Sequence, residues 1–156
     1  MTDTKPTYQL SPDQAAALQA IGAWYKGKTA PFITLGGYAG TGKTTLIAYL
    51  RKALQDYEEK TTVAFCAFTG KAARVLDDRL KEHKVMRGGD NVSTIHSLIY
   101  TAQLDDHGAV DSWQLKDKLD YDLIIVDEAT HYKNAQSKRW KVLNKLVMPD
   151  TWLWLM

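Results

Sequence analysis

A chain of 156 residues, 45% hydrophobic and 24% charged, has the length of one domain and the composition of a soluble globular protein, which excludes a disordered or fibrous chain. A formal charge of +2 excludes a uniformly basic nucleic-acid binder, so contacts with a polyanion must come from local patches. The single cysteine, Cys66, excludes an intrachain disulfide. No apolar run approaches the roughly 20 residues that span a bilayer, and the polar start from Met1 to Pro6 lacks a signal-peptide core, so a cytoplasmic protein with no membrane partner is expected.

The first helix is marked by Leu10-Ser11-Pro12-Asp13-Gln14. Ser11 suits the N-cap, Pro12 the first helical position, and Gln14 the third, where it completes a capping box. Leu18 and Ile21 supply its buried face. Gln14 has a second reading, because a carboxamide matches the donor and acceptor on an adenine edge. Gly27 to Pro31 breaks the helix and feeds a short strand, Pro31-Phe32-Ile33-Thr34-Leu35.

Gly37-Tyr38-Ala39-Gly40-Thr41-Gly42-Lys43-Thr44 then satisfies G-x-x-x-x-G-K-[ST] at every constrained position. In such a loop the glycines let the backbone wrap a polyphosphate with its N–H groups inward. Lys43 supplies a point charge for the β and γ phosphates, and the Thr44 hydroxyl completes the shell of a Mg²⁺ ion. The helix expected over residues 45–54, with Leu46, Ile47, Leu50 and Leu54 at helical spacing, would turn its N-terminus toward the anion.

Residues 62–68 are apolar on successive as well as alternate positions, which marks a central parallel strand covered on both faces and a buried, inert Cys66. Thr69-Gly70-Lys71 is expected as a turn at the strand's carboxyl end, where open α/β sheets bind ligands, with a helix from Ala72 onward. Lys71, Arg74, Arg79, Lys81, Lys84 and Arg87 make this segment basic, opposed by Asp77, Asp78 and Glu82, and a solvated helix face is the plain alternative. Gly88 to Asn91 reads as a flexible turn. Ser93 or Thr94 is placed to cap a helix with His96 in its first turn, and the four histidines show no metal-ligand spacing. Residues 100–104 and 109–115, around Asp105-Asp106-His107-Gly108, predict a projecting hairpin.

Leu123-Ile124-Ile125-Val126 is a buried strand that ends on Asp127 and Glu128. After a phosphate loop, a first carboxylate at this place holds Mg²⁺ and a second orients and deprotonates the attacking water. Residues 129–149 carry Lys133, Lys138, Arg139, Lys141 and Lys145 without an acid, and Trp140, Leu143 and Val147 form one stripe of an amphipathic helix ended by Pro149. Thr151 to Met156 begins another core strand.

The order of these motifs resembles the first RecA-like lobe of superfamily 1 DNA helicases, nearest to the RecD-like and Dda-like branch, over Leu10 to Met156. Leu-Ser-Pro-Asp-Gln with Gln14 resembles the Q motif, Gly37 to Thr44 followed by Thr45 resembles motif I, and Asp127-Glu128-Ala129-Thr130 resembles motif II, with Thr130 in place of the usual Ser. Phe68-Thr69-Gly70-Lys71-Ala72-Ala73-Arg74-Val75-Leu76 resembles motif Ia, and Ser93-Thr94-Ile95-His96 resembles motif Ib.

The resemblance implies a single α/β P-loop NTPase domain over residues 1–156, mostly parallel, with helices on both faces, incomplete at its C-terminal side and carrying a hairpin insertion at 100–117. It implies ATP and Mg²⁺ as cofactors, held through Gln14, Gly40, Thr41, Gly42, Lys43, Thr44 and Thr45, with Thr44 and Asp127 on the metal and Lys43, Asp127 and Glu128 catalytic. It implies single-stranded or fork DNA as partner, through Thr69, Gly70, Lys71, Thr94 and His96, beside a second lobe or a replication or recombination protein. The family's next motif, Gly-Asp-x-x-Gln, and the second lobe with its arginine fingers do not appear within these residues. The expected function is therefore an ATP-binding lobe not competent to unwind alone. The alternatives are a stand-alone nucleotide or single-stranded-DNA binding module and an inactive relic.

Overall fold

Two strands set the layout because every residue in them is apolar and buried. They are β2, Val63–Ala67, and β6, Leu123–Val126, which pair in parallel from Val63↔Leu123 to Cys66↔Val126. The computed structural model to which they belong describes residues 9–38, 40–127, 141–142 and 152–155. Their side chains alternate between the two faces of the sheet. Val63, Phe65, Leu123 and Ile125 enter one core with Ile47, Leu50, Leu76 and Leu80, whereas Ala64, Cys66, Ile124 and Val126 enter a second with Ile95, Leu98, Ile99 and Leu119.

The first core is covered by three helices: α1, Pro12–Gly27; α2, Lys43–Tyr57; and α3, Gly70–Glu82. The short helix α4, Ile95–Ile99, lies on the second. Three further strands, β1 (Phe32–Thr34), β3 (Asn91–Thr94) and β7 (Trp152–Leu155), complete a five-stranded, all-parallel sheet in the order β1-β7-β6-β2-β3. Helices on both faces of a parallel sheet are the α/β architecture expected from the sequence.

The hairpin is also present. Strands β4, Tyr100–Leu104, and β5, Val110–Leu115, pair antiparallel apart from the main sheet, with Tyr100 opposite Leu115 and Ala102 opposite Trp113. Its turn is organised by Asp105, whose Oδ1 accepts hydrogen bonds from the His107 and Ala109 amides at 2.9 Å each.

Two expectations need correction. Gly70 and Lys71 do not form a turn but open α3, because the Thr69 hydroxyl accepts from the Ala72 amide at 3.2 Å and starts the helix at Gly70 rather than at Ala72. Residues 88–91 are not simply a flexible turn, because Asp90 is an anchor and Asn91 already belongs to β3. The amphipathic helix expected within residues 129–149 lies outside the described residues except at 141–142, where Val142 packs on the second core.

Asp90 faces Arg51 of α2, and both side chains are shielded from solvent. Arg51 Nε donates to Oδ2 at 2.8 Å, Nη2 donates to Oδ1 at 3.2 Å, and Nη2 also reaches the Thr61 carbonyl at 3.2 Å. The carboxylate accepts two backbone amides as well, from Val63 and Arg87, at 3.0 Å each. Removing one partner of such a pair strands a buried charge, which costs about 3–5 kcal/mol. Asp90→Ala is therefore expected to lower unfolding stability by about that amount, measured from urea denaturation; a loss below ~1 kcal/mol would contradict this account of the pair.

Candidate functional site

Because all five strands are parallel and in register, their carboxyl ends form one edge, and the sequence-derived site residues fall along it. Thr34 of β1 pairs with Leu155 of β7, Leu155 with Val126 of β6, Val126 with Cys66 of β2, and Cys66 with Ser93 of β3. The phosphate loop leaves from β1, Asp127 follows β6, Thr69 lies just beyond β2, and Thr94 ends β3. At about 4.8 Å per strand, the ends of β1 and β6 stand roughly 10 Å apart across the sheet, with β7 between.

The loop is described at every position except Ala39. Gly40 and Gly42 both have φ of +80°, a left-handed conformation that glycine adopts without a Cβ penalty. Gly42 is the N-cap of α2. No side chain caps that end, and the first turn of α2 contains no acid, unlike α1, where Ser11 caps and Asp13 sits in the first turn. Uncapped first-turn amides at the positive end of a helix favour an anion.

Lys43 points back over the loop. Its Nζ donates to the carbonyls of Gly37 and Tyr38 at 2.9 Å each, and the Thr41 hydroxyl donates to the same Tyr38 carbonyl at 2.8 Å. The ammonium is thus held over the loop by two neutral acceptors, which a phosphate oxygen would replace with a stronger, charge-assisted bond. Thr44 and Thr45 occupy the first turn of α2 and are half-buried.

Asp127 is fixed by its own backbone, whose amide donates to the Cys66 carbonyl at 2.8 Å and extends the ladder between β2 and β6 by one residue. Glu128 lies outside the described residues. Mg²⁺ uses one or two protein oxygens together with water and substrate phosphates. A hydroxyl at Thr44 and a carboxylate at Asp127, on the same sheet edge, are the donor types this requires. No group of three or more His, Cys, Asp or Glu residues that could hold a metal by itself exists among the described residues.

Gln14 does more than complete the capping box. Its Oε1 accepts from the Ser11 amide at 3.0 Å, the Ser11 hydroxyl accepts from the Gln14 amide at 3.2 Å, and Nε2 donates to the Thr41 carbonyl at 3.0 Å. The helix start and the phosphate loop are thereby joined. Sequence reasoning foresaw the box but not the bridge, which spans 27 residues.

At the other end of the edge, the hydroxyls of Thr69 and Thr94 are both helix caps. Thr94 Oγ1 accepts from the Ser97 amide at 3.1 Å and bonds the Ser97 hydroxyl at 3.0 Å. Since Ala67 pairs with Thr94, the helices α3 and α4 begin side by side. The His96 ring is packed between Tyr100, at 4.8 Å, and the hairpin's Trp113, at 4.5 Å and near-perpendicular. On α3 itself, the cations of the basic run form two groups. Lys81 pairs with Asp77 and Arg79 with Glu82 on the exposed side of α3, and the hydrogen bond to Asp77 holds the Lys81 ammonium above its ordinary pKa. Lys71 and Arg74 are exposed and make no ion pair among the described residues.

With this geometry in place, the AAA domain family matches residues 20–153. The chain belongs to that family. No curated protein matches it. Among solved structures, this AAA domain is similar to the Sulfolobus solfataricus SWI2/SNF2 ATPase core in complex with dsDNA, at 16% identity and a TM-score of 0.63 over 100% of this chain and 34% of that one. It is also similar to the large terminase of bacteriophage HK97, at 13% identity and a TM-score of 0.62 over 99% of this chain and 34% of that one. A nuclease-deletion mutant of the Type ISP restriction-modification enzyme LlaGI, in complex with a DNA substrate mimic, matches at 14% identity and a TM-score of 0.53 over 95% of this chain and 17% of that one. The AAA domain thus shares the fold of P-loop ATPase cores and spans about a third of the length of the first two.

Cys66 lies directly beneath the site. Complete burial pushes its thiol pKa well up, and the nearby Asp127 charge adds to the shift. A raised thiol pKa makes the contribution to stability complete below the unfolded value of about 8.5 and lost as the pH climbs above it, because only the unfolded thiol then ionises. Iodoacetamide is expected to leave Cys66 unlabelled in the folded protein at pH 8 and to label it in urea. Above about pH 8.5, unfolding stability should fall more steeply for the wild type than for Cys66→Ala.

Proposed function

We propose that this AAA domain is the ATP-binding lobe of an ATP-dependent DNA helicase, that it binds Mg-ATP and single-stranded or fork DNA, and that unwinding needs a second lobe. The observation that carries this reading is the arrangement along the carboxyl edge of the sheet. A phosphate loop with an uncapped helix start lies at one end, Asp127 in the middle, and two helix N-termini with the exposed cations Lys71 and Arg74 at the other. Nucleotide and nucleic acid can therefore occupy neighbouring stretches of one surface. DNA in the complexes of the SWI2/SNF2 core and the LlaGI mutant supports the choice of partner. The Ser93-Thr94-Ile95-His96 string and the β4–β5 hairpin support the RecD-like and Dda-like branch.

In this reading Lys43 moves from the Gly37 and Tyr38 carbonyls onto the β and γ phosphates, while the first-turn amides of α2 receive the remaining charge. Thr44 and Asp127 would hold Mg²⁺, which when bound would neutralise charge on the phosphates. Glu128 orients the attacking water. Gly40, Thr41, Gly42 and Thr45 complete the cradle, and Gln14 lies within reach of it. Positioning and electrostatics are the protein's main contributions to phosphoryl transfer, and an arginine finger from elsewhere adds on the order of 10³ to 10⁵ in rate. Turnover by the lobe alone is accordingly expected to be very slow.

Lys43→Ala should weaken Mg-ATP binding at least tenfold, since a charge-assisted hydrogen bond contributes about 1.5–3 kcal/mol. Its melting temperature should hardly change, because the bonds that Lys43 makes are to exposed loop carbonyls. Calorimetric titration showing unaltered ATP affinity would remove the phosphate-loop assignment. Lys71→Ala should weaken single-stranded DNA binding and reduce the slope of log affinity against log salt by about one contact. An unchanged slope would reassign Lys71 to the solvated face of α3.

A further inference from the structure

Gln14 is bonded at both ends of its carboxamide, and the far partner is the backbone of the phosphate loop. Oε1 is held by the Ser11 amide, which fixes the side chain on the first turn of α1, and Nε2 donates to the Thr41 carbonyl at 3.0 Å. The same nitrogen lies so close to Gly42 that a Cβ added there would stand 2.6 Å from it. Absence of a side chain at position 42 is therefore needed twice, for φ of +80° and for the approach of Gln14.

The consequence follows from peptide geometry. No peptide bond among the described residues is cis, and in a trans peptide the carbonyl of one residue and the N–H of the next point in opposite directions. A donor that holds the Thr41 carbonyl toward α1 therefore turns the Gly42 N–H away from α1. Gly42 is the N-cap of α2, where the backbone amides that receive an anion begin. We propose that Gln14 is a positioning residue for the phosphate site: through the Thr41 carbonyl it orients the Gly42 amide before any nucleotide arrives. This rests on the reading of residues 37–44 as a phosphate site. It differs from adenine recognition because it predicts an effect on ligands that have no base. It is compatible with adenine recognition, since one Nε2 hydrogen and one Oε1 lone pair remain after both bonds are made.

The test is titration of wild type, Gln14→Met and Ser11→Ala with Mg-ATP, Mg-GTP and magnesium tripolyphosphate, each protein also melted. Gln14→Met keeps the length of the side chain but cannot donate to Thr41, and is expected to weaken all three ligands by a common factor of about three to ten, the range for one lost hydrogen bond. Ser11→Ala removes the hydroxyl half of the capping box and leaves the Gln14 side chain in place, so it should lower the melting temperature while moving no affinity by more than about twofold. Unchanged tripolyphosphate binding by Gln14→Met, with ATP alone weakened, would overturn the proposal in favour of a base contact. Equal affinity losses in Ser11→Ala would overturn it in favour of helix destabilisation. If wild type binds no tripolyphosphate, the phosphate-site reading fails and the positioning role with it; if wild type binds it and Gln14→Met binds all three ligands equally well, the positioning role alone fails.

Discussion

The buried pair between Arg51 and Asp90 is the constraint on which the site depends. A phosphate loop is only as well placed as the helix that follows it, and α2 carries Arg51 on the same stripe as Ile47, Leu50 and Leu54. An apolar contact would let that helix slide along the sheet with little penalty. A guanidinium bonded to Asp90 and to the Thr61 carbonyl, with the Asp90 carboxylate also bonded to the Val63 amide, does not. Bidentate geometry adds direction to the attraction. The pair therefore ties the loop helix to the starts of β2 and β3, at the end of the sheet opposite the site.

From that anchored end the parallel strands carry order to the other. Four aligned ladders bring β1, β7, β6, β2 and β3 to a common edge, so residues from Thr34 to Leu155 meet although their positions in the chain are scattered. The two cores divide the work by face. One packs the helices on either side of the 37–44 loop, and the other packs α4, which leads into the hairpin.

Several polar side chains serve both the fold and the edge. Ser11, Thr69 and Thr94 are caps, and each starts a helix whose N-terminus lies next to the surface where ligands are proposed to bind. Gln14 combines a cap with a bridge to the loop. His96, packed between Tyr100 and Trp113, connects α4 to the hairpin. A cap hydroxyl already bonded to an amide retains limited capacity for a ligand, so at this edge the backbone amides and the exposed cations are the groups with most to offer.

The sequence by itself determined whatever is built from a few neighbouring residues. The glycine-rich loop between a strand and a helix, the capping box at Ser11 and Gln14, a cap at Ser93 or Thr94, the doubly covered strand around Cys66, the hairpin and the strand ending at Asp127 were all legible, because they depend on spacing, period and turn residues within a short window. What joins distant segments was not. Nothing near Arg51 in the chain named its buried partner Asp90, 39 residues on. Strand β3 was not foreseen: Asn91 read as the end of a turn and Ser93 or Thr94 as a helix cap, because an edge strand of four residues is too short to show a period. The tertiary structure alone decided that β7 lies between β1 and β6, that Gln14 reaches Thr41, and that the loop, Asp127 and the two capped helices share one edge, because each of these depends on how separate elements pack, a free energy that no local pattern encodes.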